Sequence, residues 1–136
     1  MTALAHAALE RRRDMIQYLL RERASSDIQD QNGATALHHA VKPGDERDII
    51  YMLLKAGAKV DIQDSRKKTA LMLAAELGRE EDAHVLLKFG ASLDIRDAEG
   101  QTAKDIAKER GWEMIVAIME HPLASQRNLG TEAGGA

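Results

Sequence analysis

One phrase returns along this chain at nearly constant spacing, and it sets what the rest can fold into. It reads Asp30-Gln31-Asn32-Gly33-Ala34-Thr35-Ala36-Leu37-His38, and it comes back as Asp64 to Leu71 and as Asp97 to Lys104. Asp30, Asp64 and Asp97 lie 34 and 33 residues apart, and Thr2, Thr35, Thr69 and Thr102 lie 33, 34 and 33 apart. Self-similarity with a period of roughly 20–50 residues marks a tandem array. In such an array no unit buries its own apolar stripe; neighbours do so by stacking, and stability becomes a sum of weak units and favourable interfaces.

Each unit reads as a turn followed by two short helices. Thr2 suits the N-cap of the first helix, because a threonine hydroxyl takes up an orphan amide of the first turn. The second helix then carries Met15, Ile16, Leu19 and Leu20 on one stripe. In the second unit Asp30-Gln31-Asn32-Gly33 is turn chemistry and Thr35 caps a helix through Val41. Lys42, before Pro43-Gly44, is biased away from helical angles and ends it. Ile49, Ile50, Leu53 and Leu54 form the next stripe, closed by Gly57.

The third unit runs from Thr69 to Gly90, and there Asp82-Ala83 replaces the paired large apolar residues of its neighbours, so packing is expected to be thinnest at that point. In the fourth unit Lys104 stands where the others have leucine, which suits a repeat facing water, and Pro122 ends the last helix. One repeat domain is therefore expected over residues 1–122, with units at about 1–30, 31–64, 65–97 and 98–122. Residues 123–136 lack apolar periodicity and are expected to form a disordered tail.

Composition removes several functions. No cysteine is present, which excludes a disulfide framework and thiolate chemistry and fits an intracellular, cytoplasmic or nuclear, setting. Neither end resembles a signal or transit peptide, and no uncharged apolar run approaches the ~20 residues that a bilayer needs. A formal charge of -3, mixed from many residues of both signs, gives no bulk attraction to nucleic acid or anionic membrane. One Trp, two Tyr and one Phe are too few for a base-stacking platform.

Chemistry-bearing motifs are also missing: there is no G-x-x-x-x-G-K, G-x-G-x-x-G or G-x-S-x-G, and the acidic residues are spread out. His38 and His39 are adjacent and point about 100° apart on a helix. His6 and His39 are equivalent in neighbouring units, about 8–10 Å apart in a stack. Neither pair reads as a metal site. Asp30-Gln31-Asn32-Gly33 fails as a calcium loop, because Ile28 and His39 stand where acidic groups are needed. A non-enzymatic protein without cofactor, metal or small-molecule substrate is expected.

These phrases resemble the ankyrin repeat, with its pattern T-P-L-H-x-A-A, then glycine, then V-x-x-L-L-x-x-G-A. In the second unit Thr35, Leu37, His38, Ala40, Gly44, Ile50, Leu53, Leu54, Gly57 and Ala58 fall in place, and the match runs from Thr2 to about Pro122. The resemblance implies an all-α solenoid of stacked antiparallel helix pairs with short β-hairpin fingers, in four repeats of which the first lacks its finger. Alanine replaces the motif's proline at Ala3, Ala36, Ala70 and Ala103, at little cost in a helix. The motif's histidine survives at His38 alone, with Ala5, Met72 and Asp105 elsewhere, so a Thr-to-His hydrogen bond is expected in one unit. Lys67 replaces the turn glycine of the third finger, which is expected to be strained or differently shaped.

By the same resemblance, a protein or peptide partner binds the concave face of finger tips and first helices. Carried over by alignment, that face holds Gln29, Gln31, Asn32, Ala34 and Lys42, then Gln63, Ser65, Arg66, Lys68, Glu76 and Leu77, then Arg96, Ala98, Glu99, Gln101, Glu109 and Arg110. Arg66 and Lys68 form its basic centre and Leu77 its apolar anchor. The basic group Ser65-Arg66-Lys67-Lys68 reads either as an acidic-peptide contact or as a solvated turn. Two other readings stay open: a segment of a larger protein whose repeats position another domain, and a scaffold self-associating through the bare first-unit edge, as monomer or weak homodimer.

Overall fold

Thr2, Thr35, Thr69 and Thr102 each start a helix, their hydroxyls accepting the N–H of Ala5, His38, Met72 and Asp105 at 3.0–3.5 Å. The structure is a computed structural model of the chain and describes residues 2–41 and 48–120. Inner helices α1 (Ala3–Leu9), α3 (Ala36–Ala40), α5 (Ala70–Leu77) and α7 (Ala103–Arg110) alternate with outer helices α2 (Arg13–Arg21), α4 (Asp48–Lys55), α6 (Glu80–Lys88) and α8 (Glu113–Glu120). Inner packs on inner and outer on outer in chain order, and each inner helix packs on its own outer partner. The architecture is a solenoid of helix pairs.

Leu4, Leu37 and Leu71, at equivalent positions of the inner helices, are buried, as are Ile16, Ile50 and Ala83 on the outer ones. Lys104 continues the inner row toward water and pairs with Glu120 of the outer helix at 3.1 Å. In the first unit, which has a neighbour on one side only among the described residues, Ile16 is buried, Leu19 and Leu20 are half-buried, and Met15 is exposed. Lys42, Pro43 and Gly44, Pro122 and the expected tail lie outside the described residues.

The third unit's weak point takes a specific form. Asp82 is buried in the row that holds Ile49 and Ile115 in neighbouring units, and its Oδ2 lies 3.2 Å from Arg79 Nε. Burial pushes the Asp82 carboxyl above its ordinary pKa, against the opposing pull of Arg79.

The fingers are tight turns. Asp30 N–H donates to Ala34 O and Gly33 N–H to Asp30 O, and the pattern repeats at Asp64–Lys68 and Asp97–Gln101. They are hairpins too short to carry a strand among the described residues. Lys67 adopts φ +61°, beside +76° at Gly33 and +82° at Gly100, and its N–H donates to Asp64 O as theirs do to Asp30 and Asp97. The third finger is therefore strained but not differently shaped. A left-handed conformation brings a side chain too close to its own backbone, and the other finger bonds hold Lys67 there regardless.

Candidate functional site

Aspartate recurs in the fingers because one of its oxygens organises each turn. Oδ1 of Asp30 accepts the N–H of Asn32 and Ala34, that of Asp64 accepts Arg66 and Lys68, and that of Asp97 accepts Glu99 and Gln101, all at 2.8–3.0 Å. The fingers are then tied to one another. Ser65 N–H donates to Asn32 O at 2.9 Å and Ala98 N–H to Arg66 O at 3.0 Å. The approach is close enough that a Cβ on Gly33 would meet Ser65 N at 2.6 Å.

Gln29 and Gln63 complete these ties. Gln29 Nε2 donates to Gly33 O in its own finger and to Gln63 O in the next, at 2.8 and 2.9 Å. Gln63 Nε2 does the same to Lys67 O and Arg96 O, at 2.8 and 3.1 Å. Arg96 Nη1 donates to Gly100 O at 2.8 Å. These three candidate recognition residues thus support the fingers with the groups they were expected to offer a partner.

Beneath the fingers, His38 links two units. Its Nε2 lies 2.9 Å from Lys68 O, and since a carbonyl only accepts, Nε2 carries the hydrogen. Nδ1 then accepts from Thr35 N–H at 3.0 Å. In the fourth unit Asp105 Oδ2 takes the same part, accepting from Thr102 N–H at 3.1 Å. Burial holds the His38 pKa below its usual value, against the Lys68 carbonyl, which favours the charged ring. A second imidazole, His39, bonds Asp30 Oδ2 through Nε2 at 2.9 Å and is the main reason that the Asp30 pKa falls below normal.

The repeat period, the threonine caps and the finger ladder are now joined by a sequence match. The family model for ankyrin repeats (3 copies) fits residues 1–64 and again 44–126. The chain belongs to the ankyrin-repeat family. Ankyrin repeats are generally protein–protein interaction modules. No curated protein matches the chain. Among the described residues, no helix of this ankyrin domain is long and apolar enough to cross a membrane.

On the finger and inner-helix face of the ankyrin domain, Gln31, Asn32, Ser65, Arg66, Leu77, Arg96, Glu99 and Arg110 are exposed, and Glu76 and Gln101 are half-buried. Lys68 corrects the expected basic centre. It is 5% exposed, and its ammonium points inward to Glu76 Oε2 at 3.2 Å and Asp97 Oδ2 at 3.4 Å, while Arg110 Nη2 stands 3.6 Å from the same Glu76 oxygen. The carboxylates draw the flexible stem under the fingers, so of the two residues of the expected basic centre Arg66 alone stays exposed.

Asp97 was absent from the sequence candidates, yet it joins this cluster. Burial would raise its pKa, but the N–H groups of Gln101 and Glu99 and the Lys68 charge outweigh burial and lower it. For the Lys68–Glu76 pair a signal existed: the two are eight residues apart, as are Gln101 and Glu109, which lie 3.4 Å apart in the fourth unit.

Proposed function

We propose that this ankyrin domain binds a protein or peptide partner on its finger and inner-helix face, without catalysis. The observation that supports it is the cross-tied ladder from Gln29 to Gly100, which holds the fingers in one arrangement and leaves Arg66, Leu77 and Glu99 free to face a partner. A pre-formed surface loses little conformational entropy on binding, so modest polar contacts suffice. The test is affinity capture from a cell extract with the wild type and an Arg66→Glu, Leu77→Ala variant of unchanged helicity, leaving buried Lys68 alone. A protein held by the first and lost by the second supports the reading. Equal capture rejects this face.

A second reading rests on Met15 and Tyr18, which are 39% and 56% exposed and border a cavity of about 570 Å³ with Arg11, Arg12, Arg13 and Asp14. Self-association through this edge predicts a mass that rises with concentration in sedimentation and a monomer for Met15→Glu.

A further inference from the structure

We propose that the cleft where α5 and α7 turn back into their outer helices seats an arginine side chain of the bound partner; the inference deepens the reading of the finger and inner-helix face, on which Leu77 lies, and rests on it. The cleft measures about 200 Å³, and Gly78, Glu80, Trp112, Glu113 and Met114 are among the residues that line it. Trp112 lies so close to Gly78 that a Cβ there would come within 2.8 Å of two indole atoms, yet the side chain stays 42% exposed. Met114, and Leu77 next to Gly78 in the chain, are exposed too. An indole braced on backbone but open to solvent is a pre-formed platform with little conformational freedom to lose on binding.

Charge selects what the platform takes. Glu80 and Glu113 line the cleft, and no lysine or arginine does. Neither carboxylate has a side-chain hydrogen bond or ion pair to another described residue. An anion is repelled by the two acids, and a wholly apolar group strips water from them without replacing its hydrogen bonds. A cation meets neither cost. Between cations, the planar guanidinium stacks on an indole and still turns N–H groups toward carboxylates at its edge, whereas an ammonium is a compact charge that holds its water more strongly.

The arrangement is not a general product of the repeat. Trp112 stands ten residues after the cap Thr102, and at the same distance from Thr2 and Thr69 stand Arg12 and Arg79. Arg79 Nε lies 3.2 Å from Asp82 Oδ2. The third unit thus fills this position with its own arginine, paired to an acid, while the fourth presents a tryptophan beside unpaired acids. A cation supplied from outside completes the fourth.

Because the chain has one tryptophan, its emission reports on this cleft directly. Three blocked tripeptides, acetyl-Ala-X-Ala-amide with X as arginine, lysine or citrulline, are titrated into the full chain while tryptophan emission is followed. A saturable change is expected with arginine, with citrulline, which keeps the shape and lacks the charge, at least about fivefold weaker and lysine in between. The variant Glu80→Gln, Glu113→Gln changes two exposed side chains and is expected to keep the wild-type helicity while reducing the arginine response to that of citrulline. No saturable change with the arginine peptide, equal binding of the lysine or citrulline peptide, or an unchanged arginine response in the double variant overturns the proposal. The titration needs no partner, so its failure leaves the capture result at Arg66 and Leu77 standing, and failed capture leaves the titration standing.

Discussion

The Lys68 ammonium lies 3.4 Å from Asp97 Oδ2, across the seam between the third and fourth repeats, and 3.2 Å from Glu76 Oε2 within its own repeat. One buried cation thus serves two carboxylates from different units. Removing it leaves buried Asp97 without its cation and Glu76 with Arg110 alone, which for a covered ion pair costs about 3 kcal/mol. Lys68→Met is expected to lower stability in urea by that amount, while Arg110→Ala, at the exposed end of the cluster, changes it by less than about 1 kcal/mol. Equal, small effects would mean that the seam does not depend on the buried charge.

Backbone strain gives a prediction of opposite sign. Arg23 has φ +64° at the position that Gly57 and Gly90 occupy in later repeats, and Lys67 has φ +61° in the row of Gly33 and Gly100. Both side chains are exposed, so glycine loses little packing and relieves the left-handed penalty. Arg23→Gly and Lys67→Gly are each expected to stabilise by about 1 kcal/mol, read as a higher urea midpoint with unchanged slope. A lower midpoint in both would show that the greater freedom of glycine in the unfolded chain outweighs the strain.

What could be read from the sequence divides along a physical line. The threonine caps, the aspartate turns and the apolar rows depend on neighbours a few residues away, and their spacing disclosed them. Lys68 was misplaced because its position depends on Asp97, 29 residues on, and beside Arg66 and Lys67 it looked like one more finger-tip charge. The ties made by Gln29 and Gln63 were hidden for the same reason, since the second carbonyl each holds belongs to the next finger. Lys67 keeps the glycine turn because Asp64 and the adjoining fingers fix the chain on both sides, a constraint that no local propensity contains.

Acid should weaken the His38 link before the aspartates matter. Its folded pKa is below the ordinary 6.5, so the unfolded chain takes up the proton first as pH falls. The stability contribution is intact above 6.5 and is lost as pH falls from there through the lower folded value. Asp30 and Asp97 are also depressed, but from 3.8, so their losses come only at more acidic pH. Urea unfolding at pH 7.5 and 5.5 should show the wild type losing stability over this interval and His38→Gln losing less, whatever its absolute stability. An identical loss in both would assign the effect to another group.

Asp82 reverses that logic. Its folded pKa is raised, so protonation favours the folded state: the gain is complete below the unfolded value of 3.8 and is lost as pH rises through the higher folded value. At neutral pH the ionised carboxylate occupies a row where Ile49 and Ile115 are apolar, with half-exposed Arg79 as its close partner. Arg79 can rehydrate if the acid is removed, so little is stranded. Asp82→Val sacrifices a favourable charge in the first turn of α6, worth about 0.5 kcal/mol, yet replaces a buried ion with packed methyl groups. A net gain of about 1 kcal/mol is expected at pH 7, shrinking as pH falls and the wild-type carboxyl takes up its proton. If the variant is less stable at pH 7, the attraction of Arg79 and the more distant Arg11 exceeds the cost of burying the charge, and Asp82 is a stabilising element of the third repeat instead of its weak point.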